Sequence, residues 1–287
     1  MDQSTRREQV SWDTAALRTA LVEPTGPWAH LDVVDRVGST NAVLLAAAAE
    51  GAPDRSVLVA REQDAGRGRL GRDWVSPPGT GLTFSVLLRP TRVSPDRYGW
   101  LPLLAGLAVH DAVRALVPSQ TCLKWPNDLL LGAGQRKAAG ILAEATTGPD
   151  GTAVVLGIGL NVDGGPDDLP AGATSLAAEG AVPLDRGAVL VGVLSRLAER
   201  ESAWRAAAGD PDAERLRADY RAACGSLGAE VRVELPGGMT VTGMAEDVDG
   251  DGRLLLLGAD GHRRAIAAGD VVHVRPVDRA QPPSHPA

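Results

Sequence analysis

Residues 66–72 read GRGRLGR and set Arg67, Arg69 and Arg72 on one glycine-punctuated loop. Guanidinium forks grip carboxylate and phosphate oxygens in pairs, so this segment asks for an anionic ligand. Its first six letters also match the G-x-G-x-x-G dinucleotide fingerprint. That fingerprint needs a strand before it, a helix opening on it and an acidic residue about twenty positions on. SVLVARE at 56–62 supplies the strand, but DWVSPPGTG at 73–81 cannot start a helix, because Pro77 and Pro78 interrupt it. VLLRPTR from residue 86 offers no carboxylate. The dinucleotide reading fails, and the loop is expected to be a mobile, hinged cover for an anion.

Four further stretches carry reactive types. In KWPND (124–128), Pro126 breaks any ladder and gathers Lys124, Asn127 and Asp128, a set able to meet a phosphate and a divalent cation. A β-turn with solvated charges fits the same five letters. Lys137, in RKAAGILAE, is a cation opening an apolar strand, and a charge deterring edge pairing fits it equally. In GIGLN (157–161) the glycines allow close approach to the backbone. Ser39-Thr40-Asn41 opens a helix: capping accounts for the first two residues and leaves Asn41 for a ligand. Trp74 directly follows the arginine loop and is placed to close over a ligand. The histidines are scattered without metal-ligand spacing.

The elements that must position these residues follow from periodicity. TAALRTALVEP is helical, LDVVDRV extended, and VLLAAAAE a helix stopped by Gly51. SVLVARE and LTFSVLLRP read as strands flanking the arginine loop. YGWLPLLAGLAVHDAVRALV reads as a helix ending at Pro118. TCLKW, DLLLG, KAAGILAEA and TAVVLGIGLNV read as strands, DGGPDDLPAGATS as a loop, and 186–208 and 211–223 as helices. Beyond residue 225, short strands separated by turn signals mark a small β-barrel or sandwich domain. The chain thus divides into a short N-terminal segment (1–30), a catalytic domain (31–225), the barrel (226–277) and a disordered tail (278–287).

Bulk properties narrow the function. The 287 residues carry a net charge of −7, which argues against general nucleic-acid binding. No eighteen-residue apolar run and no signal peptide are visible, and the two cysteines form no C-x-x-C pair; a reducing cytoplasm and no membrane partner are expected.

The ordered series GRGRLGRDW, KWPNDLLL, KAAGILAE and GIGLNV resembles the catalytic domain of biotin protein ligases, and the resemblance continues into the C-terminal domain. It implies an α+β fold: a mixed β-sheet catalytic domain with helices, followed by a small C-terminal β-barrel. It further implies ATP and biotin as substrates with Mg²⁺, activation of biotin to biotinyl-5′-AMP, and transfer to a lysine of biotin carboxyl carrier domains. By that resemblance Ser39, Thr40, Asn41, Gln63, Gly140 and Ile141 line the biotin end. Lys124 bridges carboxylate and α-phosphate, with Arg67 and Arg69 gripping both reactants. Arg72, Trp74, Asn127, Lys137 and Asn161 attend the nucleotide, and Asn127 or Asp128 neighbours the metal. Leu70 stands where some relatives carry another arginine. The space before residue 31 is too short for a DNA-reading domain, so a ligase without DNA binding is expected, as monomer or weak homodimer. A lipoate–protein ligase-like acyltransferase and a biotin-sensing regulator are the alternatives.

Overall fold

The computed structural model describes residues 13–148, 150–182 and 184–273. The expected tail at 278–287 and the start of the N-terminal segment lie outside them. Seven strands make the larger sheet: β1 (His30–Val37), β2 (Ser56–Gln63), β3 (Gly81–Leu88), β4 (Thr121–Lys124), β5 (Asp128–Leu131), β6 (Arg136–Gly148) and β7 (Gly151–Asn161). Their spatial order is β1-β2-β3-β7-β6-β5-β4. β1 and β2 run parallel, joined by a crossover through helix α2 (Thr40–Ala49), and every other pairing is antiparallel. The sheet is therefore mixed.

Ser39 caps α2 as its type predicts: its backbone is extended and its hydroxyl accepts the Ala42 N–H at 3.4 Å. Alternation along β3 sorts residues between two faces. Leu82, Phe84, Val86 and Leu88 enter the main core, while Thr83 and Ser85 face the α2 side. The core face is covered by α3 (Trp100–Val113) and α4 (Arg186–Ala206). Helix α4 buries Val189, Leu190, Val193, Leu194, Leu197 and Ala198, the stripe a 3.6-residue period demands. Helices α1 (Thr14–Leu21) and α5 (Leu216–Ala223) seal the ends.

Two helices are shorter than the periodicity predicts. Helix α3 stops at Val113 and does not reach Pro118. Helix α5 starts at Leu216, because Arg215 takes a left-handed conformation at φ 59 and resets the chain after Pro211.

The second sheet is antiparallel, in order β11-β10-β9-β8-β12, and comprises β8 (Glu230–Glu234), β9 (Thr240–Val248), β10 (Leu254–Leu257), β11 (Arg263–Ile266) and β12 (Asp270–His273). Its inward residues Val231, Val233, Leu254, Leu256 and Val271 join the same core as the larger sheet. Two buried tryptophans tie the sheets together. Trp100 Nε1 donates to Gly250 O at 3.0 Å, and Trp125 Nε1 donates to Gly252 O at 3.2 Å. Gly99 permits this closeness, since a Cβ there would fall 2.2 Å from Asp251 O.

Candidate functional site

The α2 face of the larger sheet holds a cavity of about 800 Å³, counting its open mouth. Register lays out its floor, from Thr83 to Asp128, and the strand beyond it. Thr83, Gly159, Gly140, Asp128 and Lys124 are successive Cα partners across β3, β7, β6, β5 and β4. A second row, two residues or roughly 7 Å along the strands, runs Ser85, Gly157, Leu142.

Over the second row sits a polar cluster. Asn41 packs on Gly157 so closely that a Cβ there would lie 2.3 Å from Asn41 Oδ1. Asn41 Nδ2 donates to Glu144 Oε2 at 2.7 Å, and Asn41 Oδ1 lies 2.6 Å from Ser85 Oγ. Ser85 Oγ is also 2.7 Å from Thr40 Oγ1, so its single proton serves one of two acceptors. Gln63 Oε1 receives both the Thr40 N–H (2.7 Å) and the Thr40 hydroxyl (3.0 Å). The result is a hydrogen-bonding end whose cavity-lining side chains Ser39, Thr40, Asn41 and Gln63 are uncharged, the first three buried, with the Glu144 carboxylate behind Asn41.

Over the first row lies Trp74. A Cβ on Gly159 would come 2.3 Å from the indole, and one on Gly140 would come 3.1 Å from it. The Trp74 Nε1–H is enclosed and makes no hydrogen bond. Half-buried, the ring closes over the cavity floor, as its place in the sequence predicts.

The cations follow. Lys137 lines the cavity, with Nζ 2.7 Å from Asp128 Oδ1 and 5.7 Å from the Trp74 ring centroid. It is three residues from Gly140, an odd separation that would ordinarily place the two on opposite faces. A β-bulge resolves this: Leu129 pairs with Ala139 but Leu130 with Lys137, leaving Ala138 as the extra residue. The bulge turns Lys137 onto the cavity face. The segment expected to be a mere loop then fixes the Lys137 backbone, through Gly172 O at 3.0 Å and the Thr174 N–H at 2.9 Å.

The arginine loop is a short hairpin. Trp74 N–H bonds Gly66 O at 2.9 Å, Gly68 N–H bonds Arg72 O at 2.6 Å, and the tip is Arg69-Leu70-Gly71. Arg67, Arg69 and Arg72 all line the cavity. Arg72 pairs with Asp270 of β12, whereas among the described residues Arg69 donates to a neutral carbonyl alone, Gly269 O, at 3.2 Å. Burial pulls the Arg69 guanidinium below the ordinary arginine value, against the opposing charges of Asp270 and Asp128. A partly desolvated cation held by a carbonyl alone is built to accept an anion.

Two residues expected at the site do not line this cavity. Lys124 is absent from the described cavity lining: it sits one strand beyond Asp128, its Nζ 3.9 Å from the second carboxylate oxygen. Asn161 is likewise absent; it is buried at the end of β7 and donates to Thr174 O at 3.0 Å. The structure does gather Ser39, Thr40, Asn41, Gln63, Arg67, Arg69, Arg72, Trp74, Asn127, Asp128, Lys137, Gly140 and Ile141. Beside Asn127 and Asp128 a magnesium ion would meet the Asn127 Oδ1, since Nδ2 donates to Ile141 O at 3.1 Å, and a carboxylate already paired with Lys137; the described residues contain no group of three His, Cys, Asp or Glu side chains able to hold a metal by themselves. Sequence reasoning missed Ser85, Glu144 and Asp270. Ser85 left a signal, a polar residue two after Thr83 in an apolar strand, whereas Asp270 left none.

A family model described as Biotin/lipoate A/B protein ligase family matches residues 33–161, and one described as Biotin protein ligase C terminal domain matches residues 226–274. The chain is 46% identical to a biotin–[acetyl-CoA-carboxylase] ligase of Mycobacterium tuberculosis, over 92% of this chain and 96% of that one. It is 32% identical to the bifunctional ligase/repressor BirA of Bacillus subtilis, over 83% of this chain and 73% of the relative. Its fold matches a biotin protein ligase of Aquifex aeolicus solved with biotin and ATP, at TM-score 0.68 and 30% identity, covering 86% of this chain and all of that one.

Proposed function

Because the chain belongs to the biotin protein ligase family, we propose that it joins biotin to a lysine of a biotin carboxyl carrier domain by way of biotinyl-5′-AMP. The observation that carries this reading is the cavity's polarity. Asn41 lies on Gly157 and the Lys137 ammonium beside Gly140, the partner of Gly159, so a hydrogen-bonding end and a cationic end sit on rows roughly 7 Å apart along β7, with Arg69 lining the same cavity. Biotin has that shape, with a neutral ureido ring at one end and a carboxylate at the other.

The first step brings a carboxylate to the α-phosphorus of ATP and expels pyrophosphate. Two anions must touch, so their repulsion has to be cancelled in place. Lys137, held by Asp128 and aimed by the bulge, is the fixed cation for the shared oxygens. Arg69 is the second, and Arg67, exposed at the mouth, the third. Lys124 acts one step removed, sharing the Asp128 charge. Ser39, Asn41 and Gln63 supply donors and acceptors to the ureido ring, and Trp74 offers a π-face to the nucleotide.

In the second step a carrier lysine amine attacks the acyl carbon and AMP leaves. The mixed anhydride must be kept from water meanwhile, which is the task of the arginine hairpin and Trp74. Magnesium, when present, would neutralise the triphosphate; no step here depends on a protein site for it.

The test is incubation with ATP, biotin and a carrier domain, read by streptavidin blotting, with lipoate as the competing substrate. Labelling by biotin that requires ATP is the expected result. Transfer of lipoate in preference to biotin would assign the cavity to the other branch of the family.

A further inference from the structure

The arginine hairpin is gripped by the second sheet. Asp270 opens β12 and pairs with Arg72, a residue 198 positions earlier in the chain. One residue before it, Gly269 O accepts from Arg69 Nη2. This gripping segment is itself immobilised. A Cβ on Gly269 would sit 2.5 Å from Val233 Cγ1 and 3.1 Å from Glu234 O, so the backbone is pressed onto β8, and Asp270 is in register with Glu234.

We propose that Asp270 is a positioning residue, a latch that holds the arginine hairpin down over the cavity and assigns its charges. The geometry of the latch stands on its own; its consequence for catalysis rests on the adenylation reading above. A bare carboxylate lining an anion-binding cavity would repel the ligand. Paired with Arg72, the Asp270 charge is cancelled at the rim, where Arg72 keeps 61% of its side chain exposed. Arg69, gripped through a carbonyl, keeps its full charge for a phosphate oxygen. The tip itself contributes little hold, for Leu70 is exposed and adopts the left-handed φ of 55. Without Asp270 the hairpin loses its one carboxylate tie to the other sheet among the described contacts.

Trypsin needs a locally unfolded segment, so cleavage after Arg67 and Arg69 should quicken as the hairpin lifts, and peptide mapping of the substrate-free protein compares variants for that. The Asp270→Ala variant should be cut there about fivefold faster than wild type, the scale of a single exposed ion pair, with cuts elsewhere unchanged. The charge exchange R72D/D270R should restore wild-type resistance. In turnover, Asp270→Ala should also lose biotinyl-5′-AMP to solvent faster than wild type. If Asp270→Ala does not fold, Arg72→Ala opens the same pair from the other side, with cleavage after Arg67 and Arg69 still the readout. Unchanged cleavage in the folded single variant, or an exchange no better than that variant, overturns the latch. A hairpin that opens as described in a protein whose wild type makes no biotinyl-5′-AMP would leave the latch standing and remove the adenylation reading alone.

Discussion

Gly140 and Gly159 face each other across the β6–β7 ladder, and the Trp74 indole lies upon the pair. Neither glycine has a left-handed backbone, so their lack of a side chain serves to admit the ring and, at Gly140, the Lys137 side chain beside it. Gly159→Ala should therefore fold normally yet lift Trp74 off the floor. The expected result is an ATP KM raised about five- to tenfold, the cost of roughly 1–1.5 kcal/mol of lost aromatic contact, with an unchanged melting temperature. A wild-type ATP KM in Gly159→Ala would show that the resting place of Trp74 is irrelevant to the nucleotide.

Lys137 and Lys124 share Asp128, but only the former lines the cavity. Lys137→Met should lower biotin-dependent ATP–pyrophosphate exchange by about a hundred- to a thousandfold, the usual loss for one preorganised charge donor. Lys124→Met should cost about tenfold or less, through Asp128. Equal losses in that exchange assay would mean both ammonium groups touch the reactants.

Glu201 is 1% exposed in its side chain and lies between Arg55, at 2.5 Å, and Arg205, whose Nε donates at 2.6 Å. Arg205 also reaches Asp54 at 2.6 Å, so this network pins α4 to the strands that frame the arginine hairpin. Glu201→Ala leaves two guanidinium groups without their shared acceptor and should cost about 3–5 kcal/mol in urea unfolding. A loss under about 1 kcal/mol would show that Asp54 alone suffices.

Asp111 on α3 accepts from Arg200 of α4 at 2.9 Å. Burial alone would raise its carboxyl, but hydrogen bonds and charge from His110 and Arg200 prevail and hold it down at about 2, against an ordinary 3.8. A depressed folded value means the contribution is complete above the unfolded pKa and lost as pH falls through the folded one. Asp111→Asn should thus lower the melting temperature at neutral pH. Its deficit relative to wild type should shrink between pH 4 and pH 2. A constant deficit across that window would mean Asp111 stabilises by packing, not by charge.

How far the sequence foretold this site depends on how local each signal is. The cap at Ser39, the strands around the arginine hairpin and the stripe of α4 are all written in spacing a few residues long, and they appear where expected. The glycines of GIGLN announced a close approach, but not that Asn41 and Trp74 would make it. Lys124 outranked Lys137 because the family resemblance gave it the bridging role, whereas the face Lys137 takes depends on one unpaired alanine. Asp270 was invisible, because ion pairing across 198 residues leaves no local pattern.

That alanine sets a rule of parity for the whole reaction. With Ala138 bulged out of the ladder, an ammonium group and the glycine floor share a side of the strand; with the bulge ironed out and Ala138 paired, the same letters would drive the charge into hydrocarbon and turn the Ala138 methyl toward the reactants. Engineering that tidies β6 into a regular ladder would thereby silence the enzyme while leaving its composition, and nearly all of its packing, intact.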